Sequence, residues 1–308
     1  GCWSDRLRRM NKWVRRCNTG NAEGRQAAGL LPFTVDAVVA GYCRSDFARR
    51  LERFDECFEV SASGVTLAER LRRPKERTEA VSRVLAALRE EGTITGWRDE
   101  LYPVTSSFYQ EPFFLMERAA CPFFGLKAYG VHVCAYVEHG DGSKSMWVAR
   151  RSKTKATSPS KLDHLVAGGQ PHGLYLLENV IKECEEEANV PKDLAETARP
   201  AGAVSYEFLV EEGDVNWGGA RGLKRDVLFC YDLKLPASFT PSNNDGEVEE
   251  FMLWPVERVM ATVLETDEFK QNCNLVILDF LVRHGYITPD NCPEYLSLVA
   301  GLRTAECS

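Results

Sequence analysis

The stretch that most constrains this chain runs from Gly168 to Val190, GGQPHGLYLLENVIKECEEEANV. Leu177, Val180, Ile181, Cys184 and Ala188 recur at the spacing of one buried helical stripe, which predicts an amphipathic helix. Residues three and four apart share a helix face, so Glu183, Glu186 and Glu187 point together. Like charges at that spacing cost a few tenths of a kcal/mol per pair, and anions near a helix C-terminus oppose its dipole. A divalent cation relieves both costs, since hard cations such as Mg2+ take oxygen ligands. An acidic run also serves as an ordinary solvated face. Here a breaker-rich loop, Gly168-Gly169-Gln170-Pro171-His172-Gly173, precedes the helix at a fixed distance. Loop, helix and acidic cluster together favour the metal.

The segment resembles the Nudix box. That pattern is Gly, five residues, Glu, seven residues, then Arg-Glu-hydrophobic-x-Glu-Glu-x-Gly-hydrophobic. Counting from Gly168 places Leu174 at the first Glu, Lys182 at the Arg, Glu183 at the next Glu, Glu186 and Glu187 at the paired Glu, and Asn189 at the Gly. Leu174 removes a carboxylate that supports the loop. Asn189 is a milder change, because Asn tolerates the left-handed conformation that Gly commonly supplies at a helix end. Lys182 lacks the planar fork of Arg and holds a carboxylate less rigidly.

Other segments are similar to one branch of that family. LPFTVDAVVAGY, TGWRDELYPV and MERAACPFFGL upstream, with YGVHVCAYVEHG, LFCYDLKLP and NNDGEVEEFMLWPVERV later, resemble the Nudix proteins of fungi and plants related to thiamine pyrophosphokinase. The resemblance implies an α/β protein whose Nudix domain is an α/β/α sandwich on a mixed sheet, preceded by a smaller α+β domain. It also implies an Mg2+- or Mn2+-dependent pyrophosphohydrolase acting on thiamin diphosphate analogues such as the oxothiamin and oxythiamin forms. A Nudix hydrolase of another organic or nucleoside diphosphate, and a binding module without turnover, are the alternatives.

The pattern of segments gives a domain plan. Residues 1–28 read as an extension, 29–126 as the accessory domain, 127–285 as the Nudix domain and 286–308 as a tail. Strands are expected over Phe33–Tyr42 and Phe58–Val60, and a helix over Arg77–Glu91 with Gly92 as its stop. Val131–Val137 and Met146–Arg150 flank an Asp-Gly turn and read as a hairpin. Strands near Ala201–Val210, Asp226–Leu233 and Glu249–Trp254 follow, then helices near Val256–Leu264 and Phe269–Arg283.

Site residues follow from the box and from the charges around it. Glu183, Glu186, Glu187 and the Gly168 carbonyl are the expected metal ligands, with Glu183 and Glu187 as catalytic carboxylates. Arg150 and Arg151 could clamp a diphosphate bidentately. Lys182, Glu247 from a second acidic cluster, and Trp217, whose ring could stack on a cationic or aromatic group, complete the expected substrate contacts. His164 and His172 read as structural, because neither has the partners of a catalytic triad. Trp97-Arg98-Asp99-Glu100 reads as an ion pair with a packed Trp.

Bulk properties fit a globular enzyme. The chain has 308 residues, 44% hydrophobic and 27% charged, and a net charge of −7 that opposes nucleic-acid and anionic-membrane partners. A small-molecule diphosphate is the expected partner; the oligomeric state is left open. Eleven cysteines with no C-x-x-C pair and no zinc-like grouping with the five histidines argue for reduced thiols. No run approaches the ~18 apolar residues of a membrane span. The basic stretch with Arg6, Arg8, Arg9, Arg15 and Arg16 lacks the apolar region of a secretory signal and reads as a solvated face. An intracellular location is expected, cytoplasmic first, with plastid or mitochondrion if a presequence has been removed.

Overall fold

A computed structural model describes residues 10–211 and 221–304. Two helices, α1 (Met10–Cys17) and α2 (Ala22–Ala27), precede a four-stranded sheet built from β1 (Leu30–Val35), β2 (Val38–Arg44), β3 (Phe58–Ser61) and β4 (Gly64–Leu67) in the order β2-β1-β4-β3. The expected strand over Phe33–Tyr42 is a hairpin instead. Asp36 and Ala37 both take positive φ, 49° and 63°, the hand of turn that matches strand twist. An Asp-Ala pair lacks the Gly that usually announces such a turn, so the sequence reads through it.

Helix α3 (Ser45–Leu51) follows β2, and α4 (Pro74–Glu90) follows β4. Pro74 opens α4, where its missing N–H costs nothing. Val81, Val84, Leu85 and Leu88 then enter a core with Phe33, Phe58 and Phe124. Strands β5 (Leu101–Val104) and β6 (Phe114–Glu117) form an antiparallel pair beside it.

The second half is one mixed sheet. Its strands are β7 (Lys127–Glu138), β8 (Lys144–Arg151), β9 (Leu162–His164), β10 (Val166–Gly169), β11 (Arg199–Val210), β12 (Gly222–Lys234) and β13 (Val248–Pro255). The order is β11-β12-β7-β8-β13, with β10 paired to β7 and β9 to β8; β12 and β7 run parallel and the others antiparallel. Alternation along β7 assigns the layers. Val131, Val133 and Ala135 face α5 (Leu176–Ala188), whose Val180, Cys184 and Ala188 share their core. Cys134 faces the other way, toward α7 (Val256–Glu265) and α8 (Cys273–Arg283). Short α6 (Lys192–Ala195) follows α5, and α9 (Tyr295–Gly301) ends the described chain. The result is an α/β/α sandwich.

Both ends of the chain join this second core. Trp13 and Cys17 of α1, together with Ile287, Leu298 and Leu302, are buried among Val263, Leu275 and Leu278. The Trp13 indole donates to the Val263 carbonyl at 2.7 Å, and Asn18 donates to the Gly301 carbonyl at 3.3 Å. Residues 10–17 and 287–302, expected within an extension and a tail, are therefore folded parts of the sandwich. Their partners lie far away in sequence, where local periodicity gives no sign of them. Arg16 pairs with Asp267 at 3.0 Å. Arg6, Arg8 and Arg9 lie outside the described residues.

Backbone and charge fasten the halves together. Tyr42 N–H donates to the Phe124 carbonyl at 2.8 Å, and Leu223 N–H to Pro122 at 2.9 Å. Glu207 is buried between Arg25 at 2.5 Å and Arg225 at 2.8 Å. Both guanidinium groups lie over the Tyr42 ring, at 4.5 and 5.3 Å. Among the described residues, no helix is long and apolar enough to cross a membrane, and the cysteines are free and buried.

Trp13→Ala should lower stability by about 3–5 kcal/mol, because it removes a buried indole and leaves a cavity between α1 and α7. Urea unfolding followed by circular dichroism checks this, and an unchanged midpoint would show that α1 is dispensable to the sandwich.

Candidate functional site

Strand β10 delivers two glycines whose side-chain positions are already taken. A Cβ on Gly168 would stand 2.2 Å from Cδ of Glu183, and one on Gly169 would stand 1.9 Å from the Tyr102 hydroxyl. Only glycine permits either approach. The following loop is tied by amides. Gln170 Nε2 donates to the Leu174 carbonyl at 2.6 Å, and Asn179 Nδ2 donates to Gly169 O at 2.8 Å and Gln170 Oε1 at 3.0 Å. The loop is thus held without a carboxylate at position 174.

Helix α5 begins with Glu178 accepting from the Tyr175 N–H at 3.1 Å. It ends at Asn189, whose φ of 52° and ψ of 36° are left-handed. Leu177, expected on the buried stripe, is exposed, while Val180, Cys184 and Ala188 are buried.

The carboxylates have distinct partners. Glu187 Oε2 accepts the Ala167 N–H at 3.0 Å. Lys182 bridges Glu186 at 2.7 Å and Glu183 at 3.2 Å, so it serves the carboxylates where a substrate contact was expected. Burial raises the Glu183 pKa, with Lys182 opposing it and Glu186 adding to it. Burial likewise raises Glu187, opposed by the Ala167 amide and reinforced by Glu183. The donor set is hard oxygen, with one carboxylate pressed onto glycine backbone and two destabilised as anions. It fits a divalent cation.

The expected clamp residues are engaged elsewhere. Arg151 is buried and donates from Nη1 to Asp163 at 3.0 Å, from Nε to Ser158 O at 3.1 Å and from Nη2 to Thr157 O at 2.9 Å. With all three nitrogens used, it shapes the 152–160 loop. Arg150 pairs with Glu250 at 2.9 Å and donates to Ser160 O at 3.2 Å. Glu247 forms an ion pair with Lys155. Desolvation and then Arg151 lower the Lys155 pKa, while Glu187 opposes them. Trp217 lies outside the described residues. His172 is exposed.

Beneath the loop is a buried polar cluster. His132 Nδ1 and His164 Nε2 are 2.7 Å apart, Cys273 Sγ donates to Asp163 Oδ1 at 2.7 Å, and Lys270 lies 3.9 Å from Asp163. Among the described residues, the metal-ligand atoms that converge within 4.8 Å are those of Asp163, His164 and Cys273, whereas the three glutamates do not form such a group. Asp163 is already neutralised. Burial would raise it, but Lys270, His164 and Arg151 hold it well below the usual carboxylate range. Burial pushes His164 down to about 4 and lowers His132 further below its ordinary range, so both are neutral. This cluster draws on β7, β9 and α8, and only His164 stood out in the sequence.

A cleft of about 220 Å³ separates the halves along Ala167–Gly169. Its accessory wall carries Arg98, Tyr102 and Arg118, and its floor His132, Lys270 and Asn272. Arg118 pairs with Glu100 at 2.8 Å and lies 5.2 Å from the Tyr102 ring centre. Within the expected Trp97–Glu100 unit, the Trp97 indole donates to Asp99 at 2.9 Å, and the ion pair of Glu100 is with Arg118. Tyr102 and Arg118 lie in segments that carry the family resemblance but are not singled out there as site residues, and Lys270 carries no local sequence signal.

A glycine-edged strand, a tied loop and an acidic helix thus meet on one mixed sheet. Residues 9–128 match a family model described as a domain of unknown function, DUF4743. The chain is 48% identical over 297 residues to Nudix hydrolase 24, chloroplastic, of Arabidopsis thaliana, covering 96% of this chain and 78% of the relative. It is 45% identical over 304 residues to Nudix hydrolase 20, chloroplastic, of the same plant, with 96% and 78% covered. The crystal structure of DR0079 from Deinococcus radiodurans aligns with a TM-score of 0.36 at 23% identity, over 50% of this chain and 81% of its own. The chain belongs to the Nudix hydrolase family.

The buried histidines should leave a mark on stability. Unfolded histidine binds a proton near pH 6.5, whereas folded His164 does so only near 4. The unfolded state therefore holds more protons between those values, so the contribution is full above about 6.5 and is lost as pH falls toward 4. Urea unfolding of wild type and His164→Gln side by side should show a steeper acid loss in wild type. Equal slopes would mean that the histidine is not buried neutral.

Proposed function

We propose that the protein is a divalent-metal pyrophosphohydrolase, using Mg2+ or Mn2+, that cleaves thiamin diphosphate analogues of the oxothiamin and oxythiamin type to a monophosphate and inorganic phosphate. The observation that carries the reaction is the seat of Glu183 against Gly168 beside Glu187 under the Ala167 amide. The thiamin-type substrate rests on the resemblance of the flanking segments.

Glu183, Glu186, Glu187 and the Gly168 carbonyl are the residues that would hold the cation. When bound, such a cation neutralises diphosphate oxygens and lowers the pKa of a water at the site. Glu187 is oriented by the Ala167 N–H on Oε2. Glu183, whose pKa burial raises, is the proposed acceptor of the proton from the attacking water. Lys182 pairs with both Glu183 and Glu186 and offsets part of their mutual repulsion. Water adds at phosphorus as the bridging P–O bond breaks; one oxygen and two hydrogens enter, and the products are the organic monophosphate and inorganic phosphate.

The two plant relatives are named as chloroplastic. A plastid is accordingly the compartment we propose for this chain.

Phosphate release should be measured on a panel of thiamin-type and nucleoside diphosphates. Glu187→Gln and Glu186→Gln should each lower turnover on the order of 10²-fold, the scale of losing a charge-stabilising group at the reacting centre, and a chelator should abolish it in wild type. Nucleotide turnover far above thiamin-type turnover would overturn the substrate, and ligand binding with no turnover would overturn the reaction.

Gly168→Ala should lower turnover by roughly 10²-fold, because the new Cβ displaces Glu183 by an ångström or more. Melting temperature and circular dichroism report whether the fold survives. Full activity in a folded Gly168→Ala protein would exclude the close approach as a catalytic requirement.

A further inference from the structure

The cleft between the halves is basic in an acidic chain. Five cationic residues, Arg98, Arg118, Lys224, Arg225 and Lys270, line it with one carboxylate, Asp226, whereas the net charge of the chain is −7. Charge of one sign in a concave, partly desolvated site focuses the field on a ligand of opposite sign. The five differ in what already holds them. Arg225 is bound to Glu207 at 2.8 Å and Lys224 to Asp226 at 3.1 Å. Arg118 gives Nη1 to Glu100, which fixes its fork beside the Tyr102 ring while 45% of the side chain stays exposed. Lys270 is 16% exposed and stands 3.9 Å from Asp163, beyond hydrogen-bond length. It is a largely desolvated ammonium at the cleft floor.

The cleft also runs along the strand on which the acidic helix is seated, and Arg118 is near enough to lower the Glu183 pKa against the burial that raises it. Successive residues of a strand face opposite sides, so the glycine pair touches Glu183 through Gly168 and the accessory half through Gly169. Arg118 Cζ lies 3.7 Å from the point where a Gly169 Cβ would stand. A diphosphate near Glu183, Glu186 and Glu187 is repelled by three carboxylates. Cations on the facing wall offset that repulsion, Arg as a planar fork and Lys as a point charge.

We propose that this cleft seats the substrate's diphosphate, with Arg118 and Lys270 as its binding cations, so that the accessory half completes the active site. The proposal rests on the functional reading above. It assigns a role to the domain of unknown function that spans residues 9–128.

The test uses the full chain as wild type, Arg118→Ala, Arg118→Lys and Lys270→Met. Arg53→Ala is the control, since its pair with Glu91 is exposed in the same half and outside the cleft. Calorimetric binding of inorganic pyrophosphate in the presence of chelator reads the cations without a metal. Arg118→Ala and Lys270→Met should weaken it roughly tenfold or more, the scale of one hydrogen bond to a charged group. Arg118→Lys should recover part of the loss, and Arg53→Ala should bind like wild type. With the diphosphate that is turned over fastest, KM should rise while kcat changes little. If Arg118→Ala fails to fold, Arg118→Lys and Lys270→Met decide.

Unchanged pyrophosphate binding and KM in folded cleft variants overturn the proposal. If Glu187→Gln abolishes turnover in that case, the functional reading stands without it. If no diphosphate is hydrolysed but pyrophosphate binding depends on Arg118, the cleft assignment stands and the functional reading falls.

Discussion

Two consecutive hydrogen atoms, on Gly168 and Gly169 where other residues carry a Cβ, allow the site to exist. Strand geometry turns the first toward helix α5 and the second toward the accessory half. Glu183 and the Tyr102 hydroxyl fill the vacated positions. The helix can therefore press a carboxylate onto the loop backbone, and the accessory half can press its aromatic wall onto the same strand. A methyl group at either position would displace the Glu183 carboxyl or the Tyr102 hydroxyl.

The electrostatics follow from that closeness. Burial penalises Glu183 and Glu187 as anions, and the helix supplies Lys182 as partial compensation. Deeper in the sheet the charge is settled differently. Asp163 is matched by Arg151 and Lys270 and leaves two neutral histidines beside it. Arg151 is therefore a structural anchor of the 152–160 loop. A buried guanidinium with three acceptors is costly to detach, because its partners would be left unpaired.

Local chemistry was legible in the sequence, and distant pairing was not. The acidic helix, its left-handed end at Asn189 and the strands β7, β8, β11, β12 and β13 follow from periodicity and turn chemistry within a few residues, whereas β10 ends in a glycine pair that reads as loop. The hairpin at Asp36-Ala37 was missed because its turn lacks a glycine. The arginines at 150 and 151 read as a clamp because a sequence shows charge without showing the partner; Glu250 is 100 residues from Arg150. Tyr102, Arg118 and Lys270 share one cleft although they come from β5, the turn after β6 and the loop before α8. Nothing local marks that convergence.

The packing of α1 beside α9 has a consequence for synthesis. Trp13 emerges first, yet its partners Val263 and Leu298 are made after the whole accessory half and most of the sheet. The sandwich is thus interrupted in sequence by the domain that it supports. That part of its core stays open until α7 and α9 leave the ribosome, so the nascent chain carries an unfilled apolar groove until then. Long-range closure of this kind slows folding and leaves hydrophobic surface exposed meanwhile. The accessory half can form its own core early, and an early-folded insert would hold α1 and β7, the parts of the unfinished sandwich on either side of it, at a fixed separation.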